Sequence, residues 1–173
     1  MCEVVLQHIE KFVQERIIGA AKTIREKEGL DLIKDEDVIL TYKRSILLEK
    51  LFIKAKEVGK LFRVVIVEGC GEKEGRKMLH ALNLAGIDTT YTSFNGIPHA
   101  FERVTKTFLS AECMYANGAM LAEAGTATIA IYSKSKMIPV VAFSEMYKFS
   151  QNAMLGNFVS EEHEKKVEFG NGS

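Results

Sequence analysis

The sequence contains no tryptophan, only 2 prolines among 173 residues, and no apolar run long enough to cross a membrane. The scarcity of proline and the absence of low-complexity stretches argue against an extended chain, and 47% hydrophobic residues suffice for a substantial core. The first residues, Met1-Cys2-Glu3, lack the basic and apolar regions of a secretory signal. We therefore expect a cytoplasmic globular protein without a membrane segment.

Cysteine and net charge are also scarce. Three cysteines, Cys2, Cys70 and Cys113, are odd in number and lack metal-ligand spacing, and the histidines are scattered. The 23 basic and 23 acidic side chains balance, so no excess of one charge directs the chain towards nucleic acid or an anionic membrane. We therefore predict no disulfide, no metal site, no cofactor and no direct contact with nucleic acid.

The sequence does contain an alternation of helix-like and strand-like segments. Apolar residues at intervals of three and four predict a long amphipathic helix over residues 4–27. Short β-branched and aromatic runs predict strands near residues 38–40, 62–67, 88–91, 107–109 and 138–143. Helical periodicity predicts helices over residues 44–58, 73–84, 97–104 and 127–135.

This alternation predicts an α/β fold: a Rossmann-like, doubly wound, mostly parallel sheet preceded by a long N-terminal helix. We assign residues 1–34 to the N-terminal helical segment, residues 35–160 to the α/β domain and residues 161–173 to a charged tail. Ligands of such folds bind at the carboxyl ends of the strands, so the segments that follow the strands are the candidate functional segments.

Residues 109–126 connect a predicted strand to a predicted helix through small residues, with Glu112, Asn117-Gly118 and Gly125-Thr126 among them. Glycine-rich backbone between a strand and a helix N-terminus presents N–H groups to anions, which predicts a ligand site here. A tight connection without a ligand explains the spacing equally well.

Two other strand exits carry possible phosphate-binding groups. Lys43 and Arg44 follow the first strand, where they either hold a phosphate or face solvent. The segment Glu68-Gly69-Cys70-Gly71, with Gly75 beyond it, nearly matches the dinucleotide fingerprint, but its last glycine is one residue late. The carboxylate expected at the end of the next strand is also missing, so a tight turn is favoured over a nucleotide site.

The segment after the last strand, Glu145-Met146-Tyr147-Lys148-Phe149, places two aromatic rings around a lysine. Such a segment lines the ligand site, contacts a partner chain or packs in the core. Together with the apolar stripe of residues 5–24 it offers more apolar surface than one domain easily covers, which predicts self-association.

These segments together resemble a known family. VILTY, FRVVIVEG with a later glycine, AGI, ANG, GT and VAFSEMYKFS, in this order and spacing, are similar to the regulatory subunits of translation initiation factor 2B. That family shares its fold with the methylthioribose-1-phosphate and ribose-1,5-bisphosphate isomerases. The resemblance covers residues 4–160, and FRVVIVEG, YKFS and NFVSEE are most like the delta type, while the alpha and beta types stay open.

Positions that carry catalysis in the isomerase relatives hold other residues here. The place of their catalytic cysteine is Lys43, and the place of their phosphate-binding arginine is Cys70. Their catalytic aspartate corresponds to Glu112, and their asparagine-lysine pair to Ala122-Glu123. Because proton transfer and substrate anchoring need these groups together, the resemblance implies a protein without enzymatic activity that keeps the shape of the pocket.

The resemblance therefore implies a regulatory and assembly subunit of the guanine nucleotide exchange factor for the initiator-tRNA-carrying GTPase. Its implied partners are sister regulatory subunits, catalytic subunits and that GTPase, in a dimer or larger oligomer. Two rival hypotheses remain. One is a sugar-phosphate isomerase or binder that uses Glu112 with Lys43 or Arg44, and the other is a nucleotide-binding domain built on Gly69, Gly71 and Gly75.

The candidate residues form two sets. The predicted vestigial ligand pocket comprises Thr41, Lys43, Arg44, Glu68, Gly69, Gly75, Glu112, Asn117, Gly118, Gly125 and Thr126. The predicted subunit interface comprises Phe143, Glu145, Tyr147, Lys148 and Phe149.

Overall fold

A parallel sheet lies at the centre of the fold. The structure is a computed structural model that describes residues 28–69 and 74–152. Its strands in this part of the chain are β1 Val38–Tyr42, β2 Arg63–Glu68, β3 Asp88–Ser93, β4 Lys106–Ser110, β5 Cys113–Tyr115, β6 Met120–Leu121, β7 Val140–Phe143 and β8 Phe149–Ser150. The central sheet has five strands in the order β3-β2-β1-β4-β7, and every neighbouring pair is parallel. The predicted parallel sheet is thus confirmed.

Helices connect these strands. They are α1 Gly29–Asp31, α2 Ile46–Glu57, α3 Glu74–Leu84, α4 Ile97–Ala100 and α5 Thr126–Ser135, with 3-10 turns at Phe94–Gly96 and Met146–Lys148. The predicted long N-terminal helix, the Cys70-Gly71 turn and the charged tail lie outside the described residues.

The sheet is covered on both faces, as a doubly wound fold requires. On one face α2 and α3 bury a cluster that includes Leu51, Phe52, Met78 and Phe108. On the other face α4 and α5 bury a second cluster around Ile129. Burial from both sides explains why β1 and β2 read as continuous apolar runs, because alternate side chains of each strand enter opposite cores.

A polar network fixes the amino ends of the central strands. The carboxylate of Asp37 accepts hydrogen bonds from the backbone N–H of Lys34 at 2.7 Å, from Thr105 Oγ1 at 2.9 Å and from Lys106 Nζ at 2.5 Å. Burial by itself would raise the pKa of Asp37, but the hydrogen bonds from Lys106, Lys34 and Thr105 outweigh burial and lower this pKa below its ordinary value. The network therefore holds a charged carboxylate at the end of the sheet opposite the candidate site.

A second, smaller sheet covers part of the carboxyl edge. It has the order β6-β5-β8, in which β5 and β6 form an antiparallel hairpin and β8 runs parallel to β5. The sequence predicted only a small-residue connection over residues 109–126, and this was wrong, because the connection contains the hairpin. The two strands of the hairpin have three and two residues, too few to show the alternation by which strands are recognised.

Candidate functional site

A cavity of about 340 Å³ opens at the carboxyl ends of β1, β4 and β7. In the order of this sheet β1 and β4 are neighbours from which the chain continues in opposite directions, which is where doubly wound folds bind ligands. The lining residues are Tyr42, Lys43, Arg44, Ser45, Ile46, Leu47, Leu109, Ser110, Ala111, Glu112, Glu123, Thr126, Glu145, Tyr147 and Lys148. Three of them are cations and three are carboxylates, so the lining has no net charge.

Lys43 occupies the exit of β1 and is held from several sides. Its backbone has a φ of 53°, in the left-handed region, and its N–H donates to the carbonyl of Val67 at 2.8 Å. The ammonium forms an ion pair with Glu123 and lies 5.8 Å from the centre of the Tyr42 ring. The side chain of Lys43 is only 14% exposed, whereas that of Glu123 is 46% exposed. A half-buried cation after β1 is therefore matched by a carboxylate from the loop before α5.

Arg44 is engaged by acids on two neighbouring helices. Its Nε donates to Glu49 Oε2 at 2.9 Å, and its Nη1 lies 3.7 Å from Glu74 Oε2. The hydrogen bond to Glu49 raises the pKa of Arg44 above its ordinary value. Next to it, Ser45 caps α2 by accepting a hydrogen bond from the N–H of Leu48 at 3.4 Å. Arg44 therefore joins the starts of two helices while one part of it lines the cavity.

Lys148 and Glu145 form the wall that comes from the segment after β7. Lys148 Nζ lies 2.8 Å from Glu145 Oε2 and donates to the carbonyl of Ala111 at 3.1 Å. Glu112, which the resemblance equates with a catalytic aspartate, is exposed at the mouth of the cavity. Within residues 28–69 and 74–152 its carboxylate takes part in no ion pair.

Gly125 and Thr126 begin α5 beside the cavity. Gly125 is the N-cap residue with a φ of 99°, and a Cβ there would lie 2.4 Å from Tyr42 Oη, so only glycine fits without a shift. The Tyr42 hydroxyl donates to the carbonyl of Ala124 at 2.8 Å, which joins the exit of β1 to the loop before α5. Thr126 is buried and lines the cavity.

Other residues of the predicted ligand pocket lie elsewhere. Thr41 is fully buried in β1, and Gly69 lies near the Tyr42 ring. Glu68 is buried and accepts hydrogen bonds from the N–H of Gly75 at 2.6 Å and from Tyr91 Oη at 3.3 Å, so it caps the start of α3.

Asn117 and Gly118 are exposed in the turn of the β5–β6 hairpin, where Asn117 Oδ1 accepts a hydrogen bond from the N–H of Ala119 at 3.2 Å. Neither residue lines the cavity. Of the predicted pocket, the structure therefore brings Lys43, Arg44, Glu112 and Thr126 together and leaves the remainder in supporting positions around them.

The predicted interface residues separate into two groups. Phe143 is 5% exposed and packs on Phe108 with a distance of 4.9 Å between ring centres, so it is a core residue and not part of an exposed surface. Glu145, Tyr147 and Lys148 line the cavity. Tyr147 and Phe149 are 39% and 59% exposed, so the aromatic rings of this segment do not pack in the core.

Sequence reasoning missed two residues of the site. Tyr42 fixes the loop before α5, and Glu123 pairs with Lys43. The sequence did contain a signal for this pair. Lys43 and Glu123 stand at the two positions where the resemblance to the isomerases predicts a cysteine and a lysine, so a cation and a carboxylate replace them together. Among the described residues no three histidine, cysteine or acidic side chains come together as a metal site. A search of the same residues also finds no helix long and apolar enough to span a bilayer.

Comparison with known proteins identifies the family. The sequence profile of the initiation factor 2 subunit family matches residues 2–173. The chain belongs to this family. Its relatives include the translation initiation factor eIF2B subunit delta of Schizosaccharomyces pombe, which is 38% identical over 160 residues, covering 92% of this chain and 34% of the relative. The corresponding delta subunit of Dictyostelium discoideum is 35% identical over 150 residues, covering 87% of this chain and 24% of the relative.

Solved structures agree with this membership. The chain superimposes on one chain of the tetrameric eIF2B-beta2-delta2 complex from C. thermophilum with a TM-score of 0.83 at 29% identity. The match covers 88% of this chain and 49% of the chain in the complex. For eIF2B delta from Chaetomium thermophilum the TM-score is 0.79 at 30% identity, with 86% and 55% covered. Ribose 1,5-bisphosphate isomerase of Archaeoglobus fulgidus is a further relative, 29% identical over 131 residues, or 76% of this chain and 42% of the relative. The chain thus spans 24% to 42% of the length of these three curated relatives.

Proposed function

We propose that this chain is a non-catalytic regulatory and assembly subunit of the translation initiation guanine nucleotide exchange factor, of the delta type. Its partners in this proposal are sister regulatory subunits, the catalytic subunits and the initiator-tRNA-carrying GTPase, in the cytoplasm. The observation that carries the proposal is the similarity to eIF2B delta subunits over almost the whole chain.

The chemistry of the cavity supports a role without catalysis. Lys43 stands where the resemblance places a catalytic cysteine, and an ammonium that is paired with Glu123 is neither a nucleophile nor a free proton acceptor. Glu112 stands where the resemblance places the catalytic aspartate, but it is exposed, and burial is what usually tunes a carboxylate for proton transfer. The cavity is therefore kept as a structural feature at the junction of β1, β4 and β7.

Exposed apolar side chains support association with another subunit. Met146, Tyr147 and Phe149 follow β7 and are 67%, 39% and 59% exposed. Aromatic and methionine side chains are enriched in the cores of subunit interfaces, where they exclude water. Glu145 and Lys148, which stand beside them in sequence, form an ion pair that lines the cavity. We therefore place the contact with a sister subunit at residues 145–149.

Co-expression with a beta-type sister subunit from the same source tests the proposal. We expect a stable complex by size-exclusion chromatography with light scattering, because the chain resembles part of a beta-delta assembly. Phe149→Ser is expected to weaken the complex at least about tenfold, as loss of an aromatic anchor does. Leu84→Ser is the matched control, since Leu84 is 76% exposed at the end of α3, beside the opposite edge strand β3. Failure to bind any sister subunit would refute the proposal.

A sugar-phosphate isomerase is the second candidate. Its support is the likeness to ribose 1,5-bisphosphate isomerase and the meeting of Lys43, Arg44 and Glu112 in one cavity. Incubation with ribose 1,5-bisphosphate, followed by NMR detection of a ketose product, decides between the two functions. We expect no product, and turnover at an enzyme-like rate would replace the first proposal by the second.

A further inference from the structure

We propose that Glu123 keeps phosphorylated ligands out of the cavity by holding the ammonium of Lys43. The inference deepens the proposed function and rests on it, because it assigns the loss of ligand chemistry to one ion pair. In this view the cavity still has the size and position for a phosphomonoester. The Glu123 carboxylate excludes that ligand because it is paired with the Lys43 ammonium that would otherwise bind the phosphate.

The position of the pair supports this role. The two residues lie 80 positions apart in sequence, and both line the cavity. The backbone N–H of Lys43 donates to the carbonyl of Val67, and the Lys43 ammonium lies 5.8 Å from the centre of the Tyr42 ring, which contributes a favourable cation–π contact at this position. The hydrogen bond from Tyr42 to Ala124 holds the loop that carries Glu123. Tyr42 and Lys43, at the end of β1, thus contact Ala124 and Glu123 in the loop before α5.

Every cation that lines the cavity is paired with a carboxylate, so an entering anion must compete for it. Arg44 is engaged by Glu49, and Lys148 by Glu145. Glu112 adds a negative charge at the mouth of the cavity. An anion must therefore compete with Glu123 for Lys43, and removing Glu123 would leave three cations and two carboxylates in the lining. Thr126 in the first turn of α5 would then add the favourable potential of a helix N-terminus.

Titration with ribose 5-phosphate, using unphosphorylated ribose as the neutral control, tests the inference by calorimetry or NMR at low salt. We expect Glu123→Ala to bind ribose 5-phosphate up to about fivefold more tightly than the wild type, since about 1 kcal/mol is the upper end of the range for an ion pair of this exposure. Glu112→Ala is the matched control, because it removes the same charge from the same cavity but leaves the pair intact. It should change affinity by less than about twofold.

A double variant, Lys43→Met with Glu123→Ala, should lose the gain, since the freed ammonium is the group that binds. Glu123→Gln serves as a second single variant that keeps the side-chain shape, and a thermal melt confirms that each variant is folded. The inference is refuted if the wild type binds ribose 5-phosphate as tightly as Glu123→Ala, if Glu112→Ala gives the same gain, or if the double variant retains it. Equal binding by the wild type and Glu123→Ala without turnover would refute this inference alone, whereas turnover by the wild type would also refute the proposed function.

Discussion

Gly125 and Gly118 offer a test of how closely the loop before α5 packs on Tyr42. Both glycines have positive φ angles, 99° and 81° respectively. A Cβ at Gly125 would lie 2.4 Å from Oη and 2.8 Å from Cζ of Tyr42, whereas nothing lies within 4 Å of a Cβ at Gly118. Gly118→Ala is therefore a matched control for Gly125→Ala, because both residues have a positive φ while their surroundings differ.

The expected magnitudes follow from these surroundings. Both substitutions place a side chain in the left-handed region at a cost of about 1–2 kcal/mol. Both also gain about 0.4–1 kcal/mol from the smaller freedom of alanine in the unfolded chain. At Gly125 the methyl group additionally displaces Tyr42 and its hydrogen bond to Ala124, which contributes about 0.5–1.5 kcal/mol. The edge-to-face contact of Tyr42 with Phe94, with ring centres 5.9 Å apart, adds about 0.5–1.5 kcal/mol.

We therefore expect Gly125→Ala to lower the free energy of unfolding by about 2–4 kcal/mol and Gly118→Ala by about 1 kcal/mol. Urea unfolding followed by circular dichroism measures both, since the chain has no tryptophan to report by fluorescence. Adding Tyr42→Phe to Gly125→Ala removes the atom nearest to the new methyl group and should recover part of the difference. Equal destabilisation by the two glycine substitutions would show that Tyr42 does not restrict the loop.

Three further predictions concern stability and its dependence on pH. Phe108→Ala should lower the free energy of unfolding by about 3–5 kcal/mol, because the ring is fully buried between two other aromatic rings; a loss below 1 kcal/mol in urea unfolding would contradict this core. Phe149→Ala should change it by no more than about 0.5 kcal/mol, since this ring is largely exposed in the single chain; a loss as large as that of Phe108→Ala would mean that Phe149 belongs to the core. Asp37→Asn should cost about 2 kcal/mol at pH 7, where the charged form accepts its hydrogen bonds. Because the folded-state pKa of Asp37 is lowered, this contribution is complete above its unfolded pKa of about 3.9 and is lost as the pH falls through the folded value. The difference between wild type and Asp37→Asn should therefore shrink below about pH 4, and a difference independent of pH would contradict the argument.

Sequence reasoning predicted the central sheet well because burial on both faces leaves a strong signal. The β-branched run of β2 could be recognised without any knowledge of its neighbours, and so could the helical spacing of α2. The hairpin of β5 and β6 could not, because strands of three and two residues show no periodicity.

The candidate site was predicted less completely, and the reason is contact between distant parts of the chain. The pairing of Lys43 with Glu123 joins residues 80 positions apart, and nothing local to either residue indicates its partner. Glu68 was assigned to the pocket from its place after a strand, but it serves the start of α3 through Gly75. Phe143 was assigned to the interface from its aromatic neighbours, although the pairing of β7 with β4 directs its ring into the core beside Phe108.

The hydrogen bond between Tyr42 and Ala124 has a consequence for the order of folding. It closes a loop of 82 residues and exists only when β1 and the segment before α5 have both reached their final places. Contacts of such long range are entropically costly to form early, so we expect the walls of the cavity to meet after the local helices and the β1–β2 pair have assembled. Pulsed hydrogen exchange during refolding should therefore show protection of α5 later than that of α2.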